Sequence, residues 1–146
     1  MPSYTGVVEC EHPPAAVFAF LAAFEHTAEW DPSCDRAQRT TTGEPTLGSR
    51  FDLVFKPIGP IEMTLTYEIV ACDSPLRVTL RGGNAQLHSE DTIGVEATDR
   101  GCRVTYHAEI GLNGAGKLLD PLVGLGFQRA GQQAERGLRE RLSRPL

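Results

Sequence analysis

The sequence predicts an α+β fold in which a curved antiparallel sheet of about seven strands is covered by a long C-terminal helix. Three observations carry this prediction. An apolar stretch with helical spacing, PPAAVFAFLAAFEHTAEWDP, occupies residues 13–32 directly after the first strand. Segments of alternating apolar and polar residues then follow one another up to about residue 112, as is typical of antiparallel strands. From there to the end of the chain the apolar residues recur at helical spacing.

Two short helices are predicted after strand 1, which spans residues 4–11. Pro13 and Pro14 end that strand, and proline is favoured in a first helical turn because its missing N–H would be unpaired there anyway. Apolar residues then recur at helical spacing on one face: Val17, Phe20, Leu21 and Phe24. After a bend, residues 24–30 form the second helix, which ends with the only tryptophan, Trp30.

Six further strands are predicted, separated by turns rich in Gly, Pro, Asp and Asn. They span residues 34–42, 49–56, 61–72, 77–81, 86–98 and 102–112. The first of these is polar, which indicates an edge strand. The clean alternation in the others indicates that one face of the sheet is covered and the other is in contact with solvent.

The covering element is predicted as a helix from Pro121 to Leu142, about 33 Å long, with Asp120 as its N-terminal cap. Its apolar stripe consists of Leu122, Phe127, Ala130, Ala134, Leu138 and Leu142. Glu135 and Arg139, four residues apart, are expected to form a solvated ion pair on the outer face. Four glycines interrupt the helix, either to allow close approach to the sheet or to leave room for a ligand: Gly124, Gly126, Gly131 and Gly137.

Composition excludes several functional classes. The net charge of −5 and the lack of a Lys/Arg run argue against a nucleic-acid partner. No segment approaches the roughly 20 apolar residues of a membrane span, and the N-terminus does not have the pattern of a secretory signal. We therefore expect a cytoplasmic protein, with a homodimer as a possibility. The four cysteines are widely spaced, which favours buried free thiols over a disulfide framework or a zinc site.

The order of these elements resembles the START-like (helix-grip, or SRPBCC) superfamily and, within it, the polyketide cyclase/dehydrase and lipid-transport-type family. Four segments carry the resemblance: HPPAAVFAFLAAFEHTAEWDP at 12–32, GSRFDL at 48–53, LTYEIVACDSPLRVTLRG at 65–82 and DRGCRVTYHAEI at 99–110. The resemblance implies a single ligand-binding domain over residues 1–146. It also implies that a hydrophobic or aromatic, lipid- or polyketide-like molecule binds between the sheet and the last helix.

The strand alternation, placed on that fold, predicts which side chains contact the ligand. The sheet would contribute Phe51, Leu53, Phe55, Met63, Leu65, Tyr67, Leu80, Tyr106 and Ala108. Phe24 and Trp30 would close one side, and Leu118, Leu122 and Phe127 would form the helix side. The alternative that each of these residues simply fills a solid core stays open, because apolar alternation mostly marks core positions.

Polar groups for chemistry are expected on strand 86–98. If its apolar residues face inward, so do Ser89 and Asp91, and burial would raise the pKa of the Asp91 carboxyl toward that of a general base. Asp91 and Tyr106 are therefore the candidate catalytic residues, and Tyr67 is a further hydroxyl donor. Two alternatives remain: Asp91 pairs with Arg81 at the rim, or the parity is reversed and His88 and Glu90 face inward.

Other motifs give weaker signals. GLNGAGK at 111–117 resembles a phosphate-binding loop, but the next residue is Leu118 where Ser or Thr should hold magnesium. We interpret it as a flexible loop before the last helix that could gate the pocket. The histidines lack metal-ligand spacing, so neither a metal nor a cofactor is predicted. Three functions remain open: a carrier or binding protein, a polyketide cyclase-, aromatase- or dehydratase-like enzyme, and a regulatory protein-interaction module.

Overall fold

A computed structural model of the protein covers residues 1–146 and describes all side chains except those of Pro57 and Ile58. The chain folds into seven strands and two α-helices. The elements in order are β1 (Ser3–Cys10), α1 (Pro14–Ala22), β2 (Cys34–Arg39), β3 (Arg50–Ile58), β4 (Ile61–Asp73), β5 (Arg77–Gly83), β6 (Leu87–Ala97), β7 (Cys102–Leu112) and α2 (Asp120–Leu142). One 3-10 helix, Phe24–Glu29, follows α1, and another, Gly114–Leu119, precedes α2.

The strands form one antiparallel sheet in the order β1-β7-β6-β5-β4-β3-β2. Chain neighbours pair throughout, except that β1 crosses over to lie beside β7. β6 is therefore close to the middle of the sheet, where Asp91 stands between Leu80 of β5 and Ala108 of β7. The sheet curves around α2, which confirms the predicted α+β class and the helix-grip fold.

The solid core lies under α1 and the first 3-10 helix. Phe24, Phe51, Leu53, Ile69 and Leu80 are at most 1% exposed there. Complete burial of such a side chain stabilises the fold by about 1.5–3 kcal/mol. Because bulky residues fill this end of the space between the helices and the sheet, any opening has to lie toward the N-terminal end of α2.

The helix α2 is packed at its C-terminal end and open at its N-terminal end. Leu138 and Leu142 are only 2% and 1% exposed, whereas Leu122 and Leu125 are 67% and 75% exposed. The apolar stripe predicted for this helix is thus only partly buried against the sheet, because its first turns stand over an unfilled space.

The glycines of α2 serve both predicted purposes. Gly137 lies against the backbone carbonyl of Trp30, and Gly131 lies over the ring of Tyr4, so any Cβ atom at either position would overlap its neighbour. Gly126 has open space where its Cβ would be and borders the cavity described below. Gly137 therefore allows close packing and Gly126 leaves room beside the cavity, whereas Gly131 packs on Tyr4 and also borders the cavity.

Three local predictions are wrong. Asp120 does not cap α2: the helix begins at Asp120 itself, and the Asp120 carboxylate accepts the N–H of Leu112 at 3.1 Å, which ties the helix to the end of β7. Residues 114–119 form a 3-10 helix and not an irregular loop. Strand β2 ends at Arg39, before the predicted residue 42.

All four cysteines are free thiols, but Cys10 and Cys72 are only half-buried, contrary to the expectation of buried thiols. Cys34 and Cys102 are buried, and Cys10 faces Cys102 across the β1–β7 pair with a sulfur–sulfur distance of 3.6 Å. Within the part of the chain that the structure describes, no helix is long and apolar enough to cross a membrane.

Candidate functional site

A cavity of about 730 Å³ lies between the sheet and α2, whose lining residues run from Leu122 to Leu138. Pockets that bind small molecules commonly have volumes of about 300–1,000 Å³, so the space is large enough for a molecule of several rings or a long chain. Strands β1, β3, β4, β6 and β7, the segment after the first 3-10 helix, and α2 provide the walls.

Most of the predicted contact residues line this cavity. They are Trp30, Phe55, Met63, Leu65, Tyr67, Ser89, Asp91, Tyr106, Leu122 and Phe127, together with Ala108. Their side chains come from strands on both sides of β6 and from the open turns of α2. The alternation pattern thus identified the covered face of the sheet correctly.

Five predicted contact residues lie elsewhere. Phe24, Phe51, Leu53 and Leu80 are buried in the solid core with α1 and the first 3-10 helix. Alternation identifies the face of a strand but not how far along that face the packed core extends, so these residues have the right orientation and the wrong position. Leu118 is 86% exposed on the second 3-10 helix and does not reach the cavity.

The polar end of the cavity is centred on Asp91 of β6, which is 6% exposed. One carboxylate oxygen accepts the hydroxyl of Ser89 at 2.9 Å, and the other accepts the hydroxyl of Tyr106 at 2.5 Å. Ser89 and Asp91 alternate with outward-facing neighbours on β6, and Tyr106 reaches the carboxylate from β7. The two catalytic candidates are therefore in direct contact.

The alternatives for this strand do not hold. Arg81 does not pair with Asp91 but with Glu90, at 2.7 Å on the solvent face. His88 is exposed and hydrogen-bonded to Asn113 at 2.6 Å. Neither His88 nor Glu90 lines the cavity.

Tyr67 of β4 also faces the cavity and is 3% exposed. Its ring lies directly over Gly82, the opposite residue on β5, where any Cβ atom would overlap it. Phe24 packs edge-on against the same ring, with centroids 5.0 Å apart. Phe24 thus supports a cavity residue from behind and does not form part of the wall.

Trp30 closes one side of the cavity, as predicted, and packs edge-on against Tyr106 with centroids 5.5 Å apart. The next residue, Asp31, also lines the cavity, as does Ser33. Both the backbone N–H and the hydroxyl of Ser33 donate to one oxygen of Asp31, at 2.9 and 2.8 Å. Sequence reasoning missed Asp31 because this residue lies between the second helix and the next strand, where no periodicity indicates which way a side chain faces.

Burial dominates the electrostatics of this end. It raises the pKa of Asp91 to about 6, against the hydrogen bonds from Tyr106 and Ser89, which favour the ionised form. Burial also raises the pKa of Asp31, and it raises the pKa values of Tyr67 and Tyr106 well above their usual value, with the Asp91 charge adding to both. Near neutral pH the site therefore holds an ionised Asp91 beside two un-ionised tyrosines.

The helix side of the cavity contains a second polar group that sequence reasoning misplaced. Glu135 pairs with Arg139 at 3.0 Å, as expected, but it also accepts the hydroxyl of Tyr4 at 2.8 Å and lines the cavity. Tyr4 alternates inward with Gly6 and Val8 on β1, and that alternation was the available signal. Arg129 borders the cavity from an exposed position on α2.

The donors and acceptors of this site suit an organic ligand. Across the residues whose side chains are described, no group of three or more His, Cys, Asp or Glu residues is arranged to hold a metal ion. The cavity combines long apolar walls with one end that presents two carboxyl groups, two phenols and two serine hydroxyls. Such a site can bury an apolar body and orient it through a few polar contacts.

Comparison with known proteins agrees with this geometry. The sequence matches a model of the family described as polyketide cyclase / dehydrase and lipid transport over residues 1–143. No curated protein matches the sequence.

Three solved structures illustrate the similarity. The protein TTHA0849 from Thermus thermophilus has a TM-score of 0.77 and 19% identity, with 97% of each chain covered. A START superfamily protein from Mycobacterium smegmatis has a TM-score of 0.77 and 10% identity, with 96% of each chain covered. The Zhui aromatase/cyclase from a Streptomyces species has a TM-score of 0.74 and 10% identity, covering 96% of this chain and 90% of that one. At these identities the similarity shows the fold alone.

Proposed function

The chain belongs to the polyketide cyclase / dehydrase and lipid transport family, and we propose that it binds a hydrophobic or aromatic small molecule in the cavity under α2, as a carrier or binding protein. The observation that supports this proposal is the cavity of about 730 Å³. A two-layer domain that needed only stability would fill this space with side chains, since an unfilled apolar volume lowers the free energy of unfolding.

Native mass spectrometry of gently purified protein tests the proposal directly, because a co-purified molecule adds a discrete mass. In parallel, titration with the neutral fluorescent probe N-phenyl-1-naphthylamine reports a vacant apolar cavity by enhanced emission. If neither experiment detects binding, the carrier proposal fails, and a regulatory protein-interaction module with an unused cavity becomes the better hypothesis.

Filling part of the cavity should weaken binding without unfolding the protein. We expect Ala108→Phe to weaken N-phenyl-1-naphthylamine binding at least tenfold, or by about 1.4 kcal/mol of binding free energy, because the new ring occupies space that the probe needs. Ala108 faces the cavity beside Asp91, and Phe is a good strand former. The matched control is Thr105→Phe on the exposed face of the same strand, which should leave the affinity unchanged. Equal affinities for the two variants would contradict the location of the site.

A second candidate function is supported by the contact between Asp91 and Tyr106. In a polyketide cyclase- or dehydratase-like enzyme, the Asp91 carboxylate would remove a proton from a carbon between two carbonyl groups. The Tyr67 hydroxyl would donate a hydrogen bond to the resulting enolate oxygen, while the Tyr106 hydroxyl, which already donates to Asp91, would hold the carboxylate in place. A pKa of about 6 suits a base of this kind near neutral pH.

Substitution separates the enzyme from the carrier. On a substrate identified by mass spectrometry, we expect Asp91→Asn to lower kcat about a hundredfold or more if the protein is an enzyme, the usual size of a general-base contribution. Tyr106→Phe should lower kcat less, and the solvent-face control Glu90→Gln should not change it. Unchanged turnover in Asp91→Asn would remove this residue from the mechanism.

A cytoplasmic location and a homodimer, both considered from the sequence, remain proposals. The exposed leucines at the start of α2, among them Leu122 and Leu125, provide an apolar surface that self-association would cover. Light scattering coupled to size-exclusion chromatography determines the oligomeric state.

A further inference from the structure

We propose that the ligand of this cavity has an apolar body and one positively charged nitrogen, held by the carboxylates of Asp31 and Asp91. The inference rests on the proposed ligand-binding function and narrows its substrate class to hydrophobic organic amines. It follows from the charge balance of the cavity, from the hydrogen-bond acceptors available at its polar end, and from the aromatic rings beside them.

No protein cation lies beside these two acids among the side chains that the structure describes. Asp31 and Asp91 form no ion pair with any residue whose side chain is described, and the charge that acts most strongly on Asp91 is that of Asp31, which is also negative. Other partly buried carboxylates are paired, such as Glu25 with Arg39 at 2.7 Å. Buried charges in proteins are normally paired, so two unpaired carboxyl groups on one cavity indicate a partner that comes from outside the chain.

The other charged groups around the cavity do not offset these two acids. Glu135 is the third acid on the wall, and it is already satisfied by Arg139 and by the Tyr4 hydroxyl. Among the described side chains, Arg129 is the one base on the wall; it is exposed on α2 and is not among the groups that act most strongly on Asp91. The polar end therefore stays negative when the rest of the wall is counted.

Besides Asp91, Tyr67 and Asp31 provide hydrogen-bond acceptors at the same end of the cavity. Tyr67 is 3% exposed and borders the cavity, and its neighbour Ser89 donates its one hydroxyl proton to Asp91, which leaves the Tyr67 oxygen able to accept from a ligand. The Ser33 hydroxyl and N–H both donate to the same oxygen of Asp31, so the other oxygen is available. An alkylammonium group has three N–H donors, and three acceptor groups are present for them.

The aromatic residues at the same end favour an organic cation over an inorganic one. Trp30, Tyr67 and Tyr106 line the cavity around the acids, and aromatic rings attract cationic nitrogen through their faces. An inorganic divalent cation is usually held by several carboxylate or carbonyl oxygens, whereas the described side chains form no group of three or more His, Cys, Asp or Glu residues that could hold one. The remaining walls are apolar and suit the body of the ligand.

Matched pairs of amine and alcohol test this inference. The probes are 2-(1-naphthyl)ethylamine with 2-(1-naphthyl)ethanol, and 4-phenylbutylamine with 4-phenylbutan-1-ol. Competition with N-phenyl-1-naphthylamine is measured at pH 8. At this pH the amines are protonated, because alkylamines have pKa values of about 10, and Asp91 is ionised, because its pKa is about 6. We expect each amine to bind at least tenfold more tightly than its alcohol.

Variants connect this preference to the two acids. Asp91→Asn should reduce the amine-to-alcohol affinity ratio from at least tenfold to below threefold, and Asp31→Asn should reduce it in the same direction. Glu90→Gln, which removes a neighbouring charge on the solvent face, should leave the ratio unchanged. Circular dichroism of each variant at the assay temperature verifies that it is folded.

The outcomes separate this inference from the proposed function. Alcohols that bind as tightly as amines would overturn the charge proposal alone and leave the apolar ligand intact. A preference for amines that persists in both Asp variants would also overturn it, because the acids would not be its source. If neither member of either pair binds and N-phenyl-1-naphthylamine does not bind, the ligand-binding function fails together with it.

Discussion

Replacement of Gly137 by alanine will lower the free energy of unfolding by about 1–3 kcal/mol, whereas the same replacement at Gly126 will raise it by about 0.5–1 kcal/mol. Both glycines lie within α2, so the change in helix propensity is the same and favourable in each case. The opposite signs come entirely from what the new methyl group contacts.

The contact at Gly137 is with backbone. A Cβ atom there would overlap the carbonyl oxygen of Trp30, and a carbonyl cannot move aside as a flexible side chain can. The helix would have to retreat from the Trp30–Asp31 segment, which also loosens one wall of the cavity. At Gly126 nothing lies within 4 Å of the added atom, so only the gain in helix propensity remains.

Urea denaturation followed by circular dichroism measures both variants on one scale, with unchanged slopes required for the comparison. Gly131→Ala provides an intermediate case, because its neighbour is the ring of Tyr4, a side chain that can rotate. We expect its effect to lie between the other two. A Gly137→Ala variant at least as stable as the unsubstituted protein would show that α2 does not rest on Trp30.

These glycines illustrate how far the sequence determines the structure. Helical periodicity was sufficient to predict α2 to within a residue of its observed start, because a 23-residue amphipathic pattern averages over local exceptions. It did not show which glycine faces backbone and which faces a cavity. That distinction depends on the distance between α2 and each part of the sheet, which is a tertiary property.

The candidate site shows the same division. Strand alternation placed Ser89, Asp91 and Tyr106 on the covered face, because side chains in a strand alternate with a strict period of two. Alternation could not separate Leu53 and Leu80 in the core from Leu65 at the cavity, since all three face the covered side and have similar burial. Asp31 was missed because it lies in a segment without periodicity, where the sequence does not indicate which way a side chain faces.

The Asp91→Asn variant should become more stable relative to the unsubstituted protein as pH rises from 4 to 6, with a total relative gain of about 3 kcal/mol. Burial raises the pKa of Asp91 from 3.8 to about 6 in the folded state. Well below pH 4 the Asp91 carboxyl is neutral in both the folded and the unfolded chain, so the free energies of unfolding of the two proteins change with pH in the same way. Between pH 4 and 6 the folded unsubstituted protein keeps the Asp91 proton that its unfolded chain releases. Its free energy of unfolding therefore falls as the pH rises.

Above pH 6 both states are ionised, and the difference between the two proteins becomes constant. Asparagine avoids this cost because it carries no charge, although its amide can replace only one of the two acceptors that Ser89 and Tyr106 use. The pH dependence of the difference therefore isolates the charge better than the difference at a single pH. Denaturation midpoints converted to free energies at intervals from pH 4 to 8 provide the measurement.

Glu90→Gln is the control, because Glu90 lies on the solvent face of the same strand and pairs with Arg81. It should show no comparable rise between pH 4 and 6. A constant difference between Asp91→Asn and the unsubstituted protein across this range would mean that Asp91 is better solvated than its burial implies. If the rise is observed, the fold retains a carboxylate that weakens it at neutral pH, and such a cost is typical of a residue kept for ligand binding or chemistry.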